Sequence, residues 1–283
     1  MNNKKIFITG SSGFIGRNLS ERYSQSNDIF HYRKNDNIKQ NLKDFKPDII
    51  FNCAAEIYDD DKMFSSNVLL VNEILDFCKN NHVEHLIQFG SSSEYGESKD
   101  PMSEKMRLNP RTIYEGTKAA ATMLCLSYSC HYAIQATVIR PFSVFGLHEK
   151  PHRLFPKLAE HFFKNKNLTL NNAYHDFIYI KDFLTGVDKV LSCDKKISKG
   201  DVVNIGSGFQ YSNFDVLDKF ESVFGVKSCA EKRTDMAKKF ETENWVCDTS
   251  YFSNRYNFKP EFSLENGIKD YITEYAKYNE IKT

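Results

Sequence analysis

Apolar residues along the chain fall into short runs that alternate with stretches of helical spacing. Ile6-Phe7-Ile8 lies between Lys4-Lys5 and Thr9-Gly10, the profile of a buried parallel strand closed by a glycine. Ile15, Leu19 and Tyr23 then recur every four residues, which predicts a helix over 15–24. Apolar runs return at 29–32, 49–55, 85–89 and 136–140, with helical stretches at about 64–80 and 114–131. Strand and helix in alternation predict an α/β fold built on a doubly wound parallel sheet. Near Phe145 the pattern changes: Pro151, Pro156, an aromatic-rich stretch and the tail Asn257-Phe258-Lys259-Pro260 point to a smaller mixed α/β lobe. The expected division is a first domain over 1–146 and a second lobe over 147–283, with some segments returning to the first.

Composition narrows the function classes. The 283 residues carry 38 basic and 37 acidic side chains, a net charge of +1 that leaves neither a basic footprint for nucleic acid nor an acidic tail. A hydrophobic content of 41% with 14% aromatics is that of a globular chain. No apolar run approaches the roughly 18 residues that cross a bilayer, and Met1 leads into no secretory segment. A cytoplasmic protein without a membrane partner is expected. Seven cysteines, none in a Cys-x-x-Cys pair, read as reduced thiols. His148, His152 and His161 match no ligand spacing, so no metal is expected. Asp59-Asp60-Asp61 reads as a solvated turn.

The candidate chemistry starts at Gly10-Ser11-Ser12-Gly13-Phe14-Ile15-Gly16. Glycines between a strand and a helix let backbone N–H groups approach a diphosphate at the helix N-terminus. Gly10, Ser12, Gly13, Phe14, Ile15 and Gly16 are therefore candidate cofactor contacts in a Rossmann-type fold. A Walker-type phosphate loop is excluded, because Arg17 follows Gly16 and no Lys-Ser/Thr comes after it. At the end of the second strand, where an acid would accept from a ribose 2′-hydroxyl, Arg33 and Lys34 stand instead. Two cations there favour NADP(H), with NAD(H) as the alternative and a solvated surface pair as the bland reading. Tyr114 and Lys118 lie four apart at the start of a helical stretch, on one face. A cation beside the phenol would lower its pKa and make it a proton donor and acceptor near neutral pH. Upstream, the strand ending at Gly90 breaks into Ser91-Ser92-Ser93, whose hydroxyls could steady a substrate oxygen.

Together these residues resemble the extended short-chain dehydrogenase/reductase family of nucleotide-sugar epimerases, dehydratases and reductases. The likeness runs through nearly the whole chain: GSSGFIG, NCAAE (Asn52–Glu56), GSSSEYG, YEGTK, RPFSVFG (Arg140–Gly146), HDFIYIKD (His175–Asp182), NIGSG (Asn204–Gly208) and DTS…NFKPEFSLENGIKD stand in the family's order. The resemblance implies that Tyr114 transfers a proton, that Lys118 holds the nicotinamide ribose, and that Ser91, with Ser92 beside it, orients the substrate. It also places Ala54 beside the cofactor and Arg233 where an arginine often binds the nucleotide diphosphate.

The departures from the family pattern matter too. Ser92 and Ser93 occupy the positions of the dehydratases' acid pair, with Glu94 one residue out of register, so sugar 4,6-dehydration is not expected. Ser93 also replaces the cysteine of the epimerase-reductases. Ser143 stands for the usual asparagine and His175 for the usual arginine. Arg153 and Lys157 are candidate substitutes for that arginine, a solvated helix face being the other reading of both. The expectation is an NADPH-dependent reductase of a nucleotide-linked 4-keto-6-deoxy sugar, with a nucleotide-sugar 4-epimerase retaining NAD as the alternative. The resemblance further implies a homodimer built through a four-helix interface.

Overall fold

The computed structural model describes residues 1–193, 200–233 and 244–281. Its first half runs β1 (Lys5–Thr9), α1 (Phe14–Tyr23), β2 (Asp28–Tyr32), α2 (Ile38–Phe45), β3 (Ile49–Asn52), α3 (Asp60–Phe64), α4 (Leu70–Asn80), β4 (His85–Phe89), α5 (Ile113–Tyr132) and β5 (Ala136–Pro141). There follow β6 (Ser143–Phe145), α6 (Leu154–Lys164), β7 (Thr169–Asn171), β8 (Tyr174–Tyr179), α7 (Ile180–Leu191), β9 (Asp201–Ile205), β10 (Gln210–Ser212), α8 (Asn213–Phe224), β11 (Glu231–Arg233), α9 (Ser250–Tyr256) and α10 (Leu264–Tyr278).

Six parallel strands form the main sheet in the order β2-β1-β3-β4-β5-β9. Successive side chains of a strand face opposite ways, so each apolar run feeds two cores. Ile6, Ile8, Phe51, Ile87 and Ile139 pack with Leu19 and Phe183 on one side. Phe7, Ile50, Leu86 and Val138 pack with Leu42, Val71 and Ile74 on the other. Burial on both faces is why these strands read as continuous apolar runs. The chain order reverses between β1 and β3, and a doubly wound sheet opens a crevice there at its carboxyl edge. β9 comes from beyond residue 147 and joins this sheet beside β5. Two small sheets, β10-β8-β6 and β11-β7, stand outside the main sheet, and β6, within the expected first domain, pairs with β8 from beyond residue 147.

Two local expectations are revised. The helical stretch begins at Asp60 rather than near Phe64, and a π-helical turn, Ser65–Leu69, joins α3 to α4. Asp60 and Asp61 form the first turn of α3, where carboxylates complement the helix dipole, instead of a free turn. Inside the π turn, buried Asn67 accepts the Glu56 N–H at 2.8 Å and donates to the Glu56 carbonyl at 3.0 Å, clamping the loop after β3. Among the described residues no helix is long and apolar enough to cross a membrane.

A buried polar ladder ties the strand ends beneath the crevice. Thr9 donates to Asn52, and Asn52 donates to Gln88 at 2.6 Å, linking β1, β3 and β4. Beside it, Glu94 is fully buried and pairs with Arg140 of β5, whose Nε donates at 2.9 Å. Glu94 also accepts from Thr122 of α5 at 2.8 Å and from the Ser91 N–H at 2.8 Å. Truncating one partner of such a pair strands the other charge in the core. Glu94→Ala is expected to lose about 3–5 kcal/mol in chemical denaturation, with Glu94→Gln losing less.

Candidate active site

The glycine turn is set by close approach. Gly10 has φ +63°, and a Cβ there would lie 2.8 Å from the Ala54 nitrogen. A Cβ on Gly16 would lie 2.3 Å from the Gly10 carbonyl oxygen, so α1 can pack this tightly only with glycine. Gly13 precedes α1 in extended conformation and no side chain caps the helix. The first N–H groups of α1 therefore remain open to an anion, and the turn fits the diphosphate of a dinucleotide.

The catalytic candidates are positioned by capping. The Thr112 hydroxyl accepts the Glu115 N–H at 3.2 Å while Glu115 accepts the Thr112 N–H at 3.2 Å, a capping box that starts α5. Tyr114 therefore falls in the first turn, facing the crevice, and Lys118 one turn deeper. A second box closes the serine turn: Ser91 caps the short helix Ser92–Tyr95, and Glu94 returns to the Ser91 N–H. The Ser91 hydroxyl lies 2.7 Å from that of Ser93 and favours the Tyr114 phenolate.

The electrostatics differ from the expectation drawn from spacing. Burial raises the Tyr114 pKa, with the Ser91 hydroxyl only partly opposing it. Burial lowers that of Lys118, opposed by the charge of Glu94. The Lys118 ammonium donates to the Phe89 carbonyl. In this state Tyr114 holds its proton and is prepared as a donor.

A cleft of about 540 Å³ runs from the glycine turn to the serine turn. It gathers Gly10, Gly13, Phe14, Ile15 and Gly16 with Ser91, Ser92, Tyr114, Ser143, Arg153 and His175. Ala54 donates its N–H to Thr9 at 3.1 Å behind the turn, while its neighbours Cys53 and Ala55 face the cleft. Ser12 faces a small chamber on the far side of the turn. Besides Ser12 and Ala54, five expected contacts do not line the cleft, and one of them, Lys118, is buried with its ammonium on the Phe89 carbonyl. Arg33 is exposed beyond β2, and Lys34 lies 3.8 Å from Glu56. Lys157 points to solvent one turn into α6, and Arg233 pairs with Glu231 at 3.1 Å on β11. The three histidines are apart, His148 on Glu21, His152 on Tyr58 and His161 on Ser228. Among the described residues no group of three or more His, Cys, Asp or Glu could hold a metal ion.

Residues 6–206 match the sequence profile of the NAD dependent epimerase/dehydratase family. The chain belongs to that family. A relative named uncharacterized UDP-glucose epimerase YtcB, from Bacillus subtilis (strain 168), is 26% identical over 309 residues, spanning 95% of this chain and 96% of the relative. The UDP-glucuronic acid 4-epimerase of Bacillus cereus was solved as a variant with UDP-4-deoxy-4-fluoro-glucuronic acid and NAD. It is 25% identical with a TM-score of 0.84, over 96% of this chain and 99% of that one. RMD of Pseudomonas aeruginosa, solved with NADPH, shares the fold at 19% identity and a TM-score of 0.83, over 98% of this chain and 100% of that one. The UDP-glucuronic acid 4-epimerase was solved with NAD and RMD with NADPH, so the comparisons support a nicotinamide dinucleotide but not the expected preference for NADP(H).

This family member also brings to the cleft residues that spacing did not reveal: Tyr58, Glu149, Lys150, Tyr174 and Trp245. Trp245 crosses from the second lobe, and its indole N–H donates to the Ser92 hydroxyl at 3.2 Å. It is the chain's single tryptophan, which was a signal available in the composition. Filling the cleft must change the surroundings of this indole. Tryptophan emission is expected to shift on titration with NADH or a UDP-sugar, and Trp245→Phe to abolish the signal.

Proposed function

We propose that the chain is a nucleotide-sugar 4-epimerase. The observation that carries this reading is the meeting of Tyr114 and Ser91 in one cleft with the open N-terminus of α1. A nicotinamide dinucleotide, when bound, accepts hydride from the sugar C4 and returns it. Once its own proton has left to solvent, a loss that the Ser91 hydroxyl favours, the Tyr114 phenolate takes the O4 proton as the 4-keto group forms and gives it back as the alcohol is restored. Ser91 holds O4 beside the phenol. Lys118, buried one turn deeper in α5 with its ammonium on the Phe89 carbonyl, would turn from that carbonyl to hold the ribose. Arg153 and Lys150 are the cations of the cleft wall suited to phosphate oxygens.

Against dehydration, Glu94 is sealed in its pair with Arg140, and Glu149 is the one carboxylic side chain among the described residues lining the cleft. Against a strong choice of NADP(H), Lys34 has the opposing charge of Glu56 nearby. Arg33 supports a second reading, NADPH-dependent reduction of a 4-keto sugar. Incubation of purified enzyme with UDP-glucose, UDP-glucuronic acid and UDP-4-keto-6-deoxyglucose separates the two. Interconversion of C4 epimers without net loss of NADH or NADPH is expected, whereas stoichiometric NADPH consumption with the keto sugar alone supports the reductase. Tyr114→Phe is expected to lower turnover by about 10²–10⁴-fold while still binding NADH.

We also propose a homodimer through α3–α4 and α5, which leave Phe64, Leu69 and Met123 exposed. Sedimentation at micromolar concentration is expected to give the dimer mass, and Met123→Glu with Leu69→Glu the monomer.

A further inference from the structure

Glu149 lies in the loop between β6 and α6, at the wall shared by the cleft and a smaller chamber of about 300 Å³. The loop packs against α1: the Leu147 carbonyl accepts from Asn18 at 3.0 Å, and His148 reaches Glu21 at 3.1 Å. Glu149 and Ser12 of the glycine turn line the same chamber. The Glu149 Oε2 atom is sealed from solvent and has no hydrogen-bond partner among the described residues. Across the chamber the Tyr271 hydroxyl is in the same condition. A buried carboxyl oxygen without a partner is costly unless the group stays neutral or a ligand completes it.

The charged and titratable groups around it do not supply that partner. Arg153, at the start of α6, opposes the effect of burial, which nonetheless raises the Glu149 pKa to about 8. Glu160 and Lys164 of α6 line the chamber with Tyr271, Tyr275 and Tyr278 of α10, and the Lys164 ammonium is paired with Glu160 at 3.8 Å. Arg17 of α1 pairs with Glu21, and on the loop itself His148 is held by Glu21 while Lys150 lies over the Tyr58 ring. An ionised Glu149 would confront a diphosphate over the glycine turn with a like charge, whereas the neutral acid has an O–H to donate to a phosphate oxygen.

We propose that Glu149 binds the dinucleotide as the neutral acid, donating its proton in a hydrogen bond to a diphosphate oxygen. The proposal rests on the reading of the cleft as a dinucleotide site. Above the titration point of the free enzyme, complex formation takes one proton from solvent, which converts the carboxylate to the acid.

The folded chain also holds this proton more tightly than the unfolded chain. That contribution to stability is full below the ordinary carboxyl range and is lost as pH climbs to about 8.

The test is the Kd of NADH, followed by its fluorescence from pH 6.5 to 9.5, for wild type and Glu149→Gln. The wild-type Kd is expected to be flat at the acid end and to weaken by about tenfold per pH unit well above the titration point. The amide variant, a permanently neutral donor, is expected to stay flat throughout. Calorimetry of wild type at pH 9 in two buffers of different ionisation enthalpy is expected to show uptake of about one proton. Without ligand, Glu149→Gln is expected to melt above wild type at pH 9 and level with it at pH 4. A flat wild-type profile, or an equally steep one in Glu149→Gln, overturns the proposal and leaves the dinucleotide reading intact. NADH failing to bind at pH 7 overturns both.

Discussion

The active-site end of this molecule hangs on one buried carboxylate. Glu94 accepts from Arg140 on β5, Thr122 on α5 and the backbone of Ser91 at the end of β4. Three elements that come from distant parts of the chain are thereby held at fixed separation. A charge buried this completely is tolerated only when its lone pairs are all used, and here their use aligns Ser91 with Tyr114. Arg140 carries the network onward to the Tyr95 hydroxyl at 2.8 Å, and Tyr95 donates to Asn204 of β9 at 2.8 Å. The serine turn, the helix bearing Tyr114 and the returning strand β9 thus form one rigid unit.

The second lobe is fixed to that unit by a similar device. Asp176 of β8 is buried and accepts from the Ser207 N–H at 2.6 Å, the Gly208 N–H at 2.9 Å and the Cys247 N–H at 2.9 Å. Those bonds bring the Gly206–Gly208 loop and the segment bearing Trp245 against the strand that carries His175. The substrate end of the cleft is therefore an assembly of backbone pieces pinned by one acid, and its shape follows from the pinning. At the opposite end the glycine turn has no side chains to adapt, so the loops after β3 and β6 close around it, one through the approach of Ala54 to Gly10 and the other through Asn18 and Leu147. Glu149, on the second of these loops, faces both the cleft and the chamber behind it.

Much of this was legible in the chain. The two-sided apolar runs determined parallel strands, the glycine spacing determined the turn, and Tyr114 with Lys118 marked the helix that faces it, because each depends on neighbours within about one helical turn. α2 escaped notice although Asn37 accepts the Gln40 N–H at its start, since Ile38 and Leu42 are its only buried apolar residues and make a weak pattern. The sequence shows Glu94 only as an acid one residue out of register with the dehydratases' pair, because nothing local reveals that Arg140, 46 residues on, pairs with it.

What the sequence by itself determined was the set of reactive groups and the order of elements that carry them. What only the tertiary structure decided was their state: which cations reach the cleft, which acid is sealed away, and whether the phenol keeps its proton. The spacing of Tyr114 and Lys118 suggested a lowered phenol pKa, yet burial outweighs it and Lys118 turns to the Phe89 carbonyl. Lys34 meets Glu56 only because Asn67, in a π turn, holds the loop after β3 in place. Periodicity and turn chemistry are local properties of a chain, whereas desolvation and charge pairing are set by whatever the fold packs around a group.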